Sequence, residues 1–240
     1  MRSYLSRFLL FALLLSGALL RALPPTAEDV VVENYIAASQ EQERVLRGAS
    51  MEVDIEASLP KLKKHGRLHA LRRISTLGRI TYDHLRFEGD KTIKNDVIAR
   101  YLSAESQAQS GSATSMAVTP ANYKFKYEGS FECGGRAVQA FQVTPRHKQV
   151  GLFKGEIWID AQTYLPVRET GRLVKNPSLF LKRVEFVREY DIRDGVSVPR
   201  QLHSLVYTRL VGPAEITVDY ENVSLPEMPR QASLVDVGDQ

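Results

Sequence analysis

The chain has 240 residues, of which 43% are hydrophobic and 25% are charged, with a single cysteine and a single tryptophan. This composition is typical of a globular protein and excludes collagen, a disulfide-rich scaffold, a polytopic membrane protein and a wholly disordered chain. Basic residues outnumber acidic ones by 32 to 28, but three of the arginines lie within residues 1–22, which contain no acid. The remaining balance is 29 to 28, so charge alone predicts no nucleic acid or other polyanion as a partner.

The N-terminal segment has the layout of a secretory signal peptide. A short basic region containing Arg2 and Arg7 precedes an apolar run from Phe8 to Leu15, and small residues follow. This run is shorter than the roughly 20 apolar residues of a membrane-spanning helix. We therefore expect residues 1–22 to be removed, with cleavage as late as Ala27 also compatible, and the protein to be periplasmic. An uncleaved inner-membrane anchor is the alternative.

Residues 28–47 predict one amphipathic helix. Thr26 followed by Asp29 is typical of an N-cap with an acidic residue in the first turn. Val31 and Tyr35 recur at helical spacing, and Gly48 is a natural stop.

After Gly48 the apolar period changes from helical to alternating, which indicates strands. The first includes Val53 and Ile55, and two more are predicted over residues 67–75 and 79–88. The last of these needs a bulge near Asp83, because its apolar residues change parity there.

Residues 94–107 contain helix formers with interspersed apolar residues and predict a second helix. Most of residues 103–119 is rich in Ser, Ala, Gly and Gln and predicts a flexible loop, with a lid as the alternative.

From residue 121 onward the chain alternates apolar and polar residues almost continuously. Gly134-Gly135 and Asp194-Gly195 predict tight turns between strands, and Pro199 predicts an edge or a bulge. The alternation ends after Leu225, so we expect residues 226–240 to form a flexible tail.

These elements predict an α+β fold with a single domain over residues 28–225. Short connections favour an antiparallel sheet of about 9–11 strands. One face of that sheet is apolar, so it must curve and be covered by the N-terminal helix and the second helix. The expected architecture is a strongly curved antiparallel sheet covered by two helices.

The layout of signal peptide, helix and long meander resembles the outer-membrane lipoprotein-sorting (LolA-like) family. The local sequence is similar too, in Gly155-Glu156-Ile157-Trp158-Ile159-Asp160, Thr163, Pro166, Val167, Gly195, Val196, Pro199 and Ile216-Thr217-Val218-Asp219-Tyr220. The resemblance implies an incomplete β-barrel, or half-barrel, wrapped over helices, with space for acyl chains between them. It implies a carrier of lipids or lipoproteins between membranes. The alternative is a periplasmic sensor or scaffold that binds a lipidated ligand and an envelope partner protein.

Strand parity identifies the side chains expected to face the helices and any acyl chain. Trp158 should lie on the opposite, outer face. The predicted concave-face, ligand-binding residues are Val53, Ile55, Tyr82, Tyr123, Phe125, Phe141, Ile157, Ile159, Val184, Phe186, Ile216 and Val218.

The sequence indicates no catalytic or metal site. It lacks a serine nucleophile elbow and both common nucleotide-binding glycine motifs. Its histidines are scattered, whereas zinc needs three or four converging ligands. We therefore expect no enzyme activity and no cofactor. A basic cluster instead suggests contact with acidic headgroups or an envelope protein, through Lys61, Lys63, Lys64, Arg72 and Arg73.

Overall fold

The computed structural model describes residues 26–108, 116–209 and 212–226. The predicted signal peptide and most of the predicted tail lie outside these residues. The described elements are α1 (Ala27–Val45), β1 (Ser50–Leu59), β2 (Lys64–Ile74), β3 (Ile80–Gly89), a π-helical segment (Ile93–Ile98) continuing as α2 (Ala99–Ala108), β4 (Tyr123–Cys133), β5 (Arg136–Pro145), β6 (Phe153–Asp160), β7 (Pro166–Leu173), β8 (Leu181–Arg193), β9 (Val196–Thr208) and β10 (Pro213–Ser224).

All ten described strands form one antiparallel sheet in the order β3-β2-β1-β10-β9-β8-β7-β6-β5-β4. Within the described part of the chain, β3 and β4 are the two edges, so the sheet is curved and open. The predicted α+β incomplete barrel, its strand number and its two helices are confirmed.

Local signals in the sequence account for the helix and turn positions. Thr26 begins α1 with a capping box: its hydroxyl accepts from the backbone N–H of Asp29 at 3.2 Å, and the Asp29 carboxylate accepts from the Thr26 N–H at 3.0 Å. Such a cap contributes about 1 kcal/mol. Asp194 and Gly195 have φ of 51° and 76°, the left-handed pair that a two-residue hairpin between β8 and β9 requires.

The bulge predicted near Asp83 is confirmed. Asp83 pairs with Leu71 and Arg86 pairs with His69, so the register shifts between them, and His84 adopts a φ of 53°. The second helix is also confirmed, and it includes residues 103–108 of the segment predicted as mostly loop, whereas residues 109–115 lie outside the described residues. Within the helix, Glu105 is bound by Arg72 of β2.

Register places one row of inward-facing side chains across the middle of the sheet. Neighbours in this row are Leu68, Ile55, Val218, Leu202, Arg188, Glu169, Ile157 and Phe141. Most of the row is buried in one apolar core that also includes Val31, Val32 and Tyr35 of α1 and Ile93 and Ile98 of the second helix. The two helices therefore cover the concave face of the sheet. None of the described helices is both long and apolar enough to cross a membrane.

Candidate ligand-binding concavity

The twelve predicted site residues all lie on strands whose inward faces form this concavity. Nine are buried and belong to the hydrophobic core: Val53, Ile55, Tyr123, Phe141, Ile157, Ile159, Phe186, Ile216 and Val218. The other three, Tyr82, Phe125 and Val184, are partly exposed. Whether any of the twelve touches a ligand remains a prediction.

Tyr123 illustrates the structural role of the buried set. Its hydroxyl accepts the backbone N–H of Phe153 at 3.2 Å, and the two rings are 5.7 Å apart. Burial raises the pKa of Tyr123 to about 12. The phenol is therefore neutral and holds the start of β6 against β4.

The concave face is incompletely covered over β7, β8 and β9. Val184 and Val206 are direct cross-strand neighbours that face inward, yet both remain partly exposed, as does Leu173 at the end of β7. Arg188 lies two positions beyond Phe186 on the same face, and its side chain is 48% exposed to solvent. This part of the concavity thus offers accessible apolar surface beside a positive charge.

Arg188 is held by two neighbours on the concave face. Its Nη1 lies 3.2 Å from a carboxylate oxygen of Glu169 on β7, and its guanidinium lies 4.8 Å from the centre of the Phe186 ring. Glu169 is itself buried. Burial and the charge of Glu169 raise the pKa of Tyr190 well above its ordinary value. An ion pair therefore crosses the centre of an otherwise apolar row.

A second ion pair, with a buried arginine, joins α2 to the sheet. Arg72 donates to a single oxygen of Glu105 through Nη2 at 2.8 Å and Nε at 3.1 Å, and the Tyr82 hydroxyl donates to the other oxygen. Burial alone would raise the pKa of Glu105, but the charge of Arg72 and these hydrogen bonds lower it below its usual range. The carboxylate is therefore ionised at neutral pH and holds the helix against β2 and β3.

The structure separates the predicted basic cluster. Arg72 is buried against Glu105, so it is not available to a surface partner. Arg73 is exposed and pairs with Asp83 at 3.0 Å. Lys61 and Lys63 are exposed, and Lys64 is partly exposed, at the opposite end of β2. Only the three lysines remain together.

Trp158 lies on the outer face, as strand alternation predicts. Its ring is 4.9 Å from that of Phe131 on β4 and 4.9 Å from the guanidinium of Arg168 on β7. These neighbours leave it partly buried. Among the described residues, no group of three or more His, Cys, Asp or Glu side chains could hold a metal ion.

Sequence reasoning missed the charged side chains of the concavity. Arg188 shares strand parity with Val184, Phe186 and Tyr190, so its inward direction was readable from the alternation. Its partner was not, because Glu169 is 19 residues away and becomes a neighbour only through the register of β7 and β8.

Comparisons with known proteins give the following matches. A family model described as a family of unknown function (DUF5686) matches residues 117–165. A search of curated proteins gives no significant match. A DUF1329 family protein from Desulfovibrio piger has a similar structure, with a TM-score of 0.45 and 13% identity over 83% of this chain and 94% of that one.

Two further solved structures are similar to this chain. A LolA superfamily protein from Nitrosomonas europaea has a TM-score of 0.39 and 11% identity over 87% of this chain and 96% of that one. A domain described as outer membrane lipoprotein-sorting, from Vibrio parahaemolyticus, has a TM-score of 0.40 and 12% identity over 83% and 95%. The similar structures thus include proteins of the family that the sequence layout resembles.

Proposed function

We propose that this protein is an exported binding protein that holds an acyl chain of a lipid or lipoprotein in its concavity and carries it between membranes. The observation that carries the proposal is the accessible apolar surface over β7–β9, formed by Leu173, Val184 and Val206 beside the fully packed core. Apolar concave surface that the protein's own side chains leave uncovered is the usual setting of a ligand site.

The energetics suit a reversible carrier. Burial of one CH₂ group contributes about 0.8 kcal/mol, so a sixteen-carbon chain gains roughly 10 kcal/mol. Association costs of about 4–15 kcal/mol offset much of that gain. Binding is then strong enough to keep a chain out of water and weak enough to release it at a membrane.

The test uses two valines of the same strand. Val184 faces the concavity, whereas Val187 has the opposite parity and lies between Thr170 and His203 in the sheet. We expect Val184→Asp to weaken uptake of a fluorescent fatty acid about tenfold or more, because a carboxylate would replace apolar contact surface. Val187→Asp should bind like the unmodified protein. Absence of uptake by the unmodified protein, or equal loss in both variants, would contradict the proposal.

Transfer separates a carrier from a sensor. A carrier loaded with labelled lipid should deliver it to acceptor vesicles, whereas a sensor should retain it and bind an envelope protein stably.

Export is tested by mass: the protein in the periplasmic fraction should lack about the first 22–27 residues. Full-length protein held in the inner membrane would contradict cleavage and favour the anchored alternative.

A further inference from the structure

One end of the sheet carries nearly all the basic loops. Because the strands alternate in direction, the loops that follow β1, β3, β5, β7 and β9 all lie at this end. Among their described residues one is acidic, Asp90, and it pairs with Lys64 at 3.4 Å. We call this end the basic rim; its described loop residues with basic side chains, all exposed, are Lys61, Lys63, Arg146, Lys148, Lys175 and Arg209.

The opposite end provides a contrast within the same molecule. The described loops that follow β2, β4, β6 and β8 contain one basic residue, Arg79, and one acidic residue, Asp194. Basic loop residues are therefore more numerous at the basic rim, whereas the loops that join strands at the opposite end carry one residue of each sign.

The basic rim also exposes large apolar side chains. In the loop between β7 and β8, Leu179 is 89% exposed and Phe180 is 61% exposed. Leu62 and Val150, in two other rim loops, are exposed as well. Leu179 and Phe180 are adjacent on one loop, whereas Leu62 and Val150 lie on two others.

The leucine–phenylalanine loop is held in place by hydrogen bonds. Arg209 donates through Nε to the Leu179 carbonyl at 2.8 Å and through its backbone N–H to the Phe180 carbonyl at 2.9 Å. The Asn176 amide donates to the carbonyls of Leu181 and Lys182 at 3.1 and 3.0 Å. These bonds hold the loop and the start of β8, while the side chains of Leu179 and Phe180 are exposed to solvent.

We propose that the basic rim docks on an anionic lipid bilayer, with Leu179 and Phe180 inserted among the acyl chains. Lysines and arginines around an inserted leucine and phenylalanine match the two parts of such a surface, its negative headgroups and its apolar interior. The inference rests on the proposed function for its purpose, because the accessible concave residues Leu173 and Val184 lie at the strand ends that flank this same loop. A docked rim would place the open part of the concavity next to the membrane.

The test exploits a leucine of equal exposure at the other end. Leu77, between β2 and β3, is also 89% exposed. The purified chain is sedimented with vesicles of phosphatidylethanolamine and phosphatidylglycerol, with phosphatidylcholine vesicles as the uncharged reference. We expect Leu179→Ser/Phe180→Ser to lower the bound fraction about tenfold, from the loss of apolar insertion. Leu77→Ser should bind like the unmodified chain.

Charge is tested in the same way. Lys175→Glu on the basic rim should weaken binding to anionic vesicles and high salt should weaken it further, whereas Arg79→Glu at the opposite end should have no effect. Absence of preference for anionic vesicles would overturn the proposal, as would equal losses at both ends or a loss on charge reversal alone. Fatty-acid uptake in solution is measured on every variant. If the protein docks on vesicles but takes up no fatty acid, the proposed carrier function is contradicted and the docking proposal stands. If it takes up fatty acid but does not dock, the docking proposal is contradicted and the carrier function stands.

Discussion

At the scale of single residues, the Asp160 side chain accounts for the turn between β6 and β7. Its carboxylate closes the turn from β6 to β7 by accepting the N–H groups of Gln162 and Thr163 at 3.1 and 2.8 Å and the Thr163 hydroxyl at 2.9 Å. Burial alone would raise the pKa of Asp160, but these hydrogen bonds lower it. The spacing of Asp160 and Thr163, noted from the sequence, is therefore that of a turn closed by a side chain.

Replacing Asp160 should destabilise the protein. Asp160→Ala leaves two backbone N–H groups and a hydroxyl without their acceptor, and we expect a loss of about 2–3 kcal/mol in the free energy of unfolding. Urea denaturation measures it. Glu156→Ala, an exposed position on the same strand, should change that free energy by less than about 0.5 kcal/mol. Equal effects at the two positions would mean that the turn does not depend on the carboxylate.

Two adjacent residues test the assignment of the sheet's faces. Ile157 is fully buried on the concave side, so Ile157→Asp should cost several kcal/mol or prevent folding, because the carboxylate would have no partner. Trp158→Ser removes contacts on the outer face and should cost less. Chemical denaturation compares the two, and the emission of the single Trp should stay unchanged when lipid is added. A strong blue shift on lipid binding would show that the faces are reversed.

At the scale of elements, α2 is fastened to the sheet by charge as well as by apolar contact. Glu105 on the helix meets Arg72 on β2 and Tyr82 on β3, so one carboxylate connects three elements. Burial and the nearby Tyr220 and Glu105 raise the pKa of Tyr101, one turn earlier on the helix, well above its ordinary value. The helix therefore meets the sheet through a charged group as well as through apolar contact.

This connection predicts a pH dependence with a defined sign. The folded-state pKa of Glu105 is lowered, so its stabilising effect is complete above the unfolded-state pKa of about 4.3 and is lost as pH falls through the folded value. Glu105→Gln should be less stable at neutral pH, and the difference from the unmodified protein should shrink in acid. Thermal denaturation between about pH 3 and 7 measures both. A constant difference across that range would contradict the assignment.

At the scale of the whole molecule, the curved sheet brings Glu169 and Arg188 together in the centre of an apolar row. Glu169 is buried, so its charge depends on Arg188 for compensation. Removing one member should therefore cost more than removing both.

A double-mutant cycle measures this dependence. Arg188→Met leaves Glu169 without its ion-pair partner and should lower the free energy of unfolding by about 1–3 kcal/mol. Glu169→Gln/Arg188→Met should recover a large part of that loss, because the amide carries no charge. Urea denaturation of the single and double variants provides the coupling energy. Strict additivity would show that the two side chains do not interact.

The sequence alone determined the features that depend on near neighbours. The capping box at Thr26, the hairpin turn at Asp194-Gly195, the bulge beside Asp83 and the alternation of Ile157 with Trp158 are all local patterns. Together they predicted a curved antiparallel sheet over two helices, because each local geometry restricts how the chain can continue, and the family resemblance added the open half-barrel. The direction of Arg188 was readable in the same way, although its partner was not.

Only the tertiary structure decided which distant residues meet. Arg72 belongs by sequence to a basic surface cluster, yet the end of α2 brings the half-buried Glu105 against it, and Arg72 is buried. Leu179 and Lys61 are far apart in sequence, yet strand alternation places their loops on one rim. Side-chain parity is set within a few residues, whereas register and helix placement depend on how the entire apolar face is covered. Contacts between remote charges, and the part of the concavity left open, follow from that coverage.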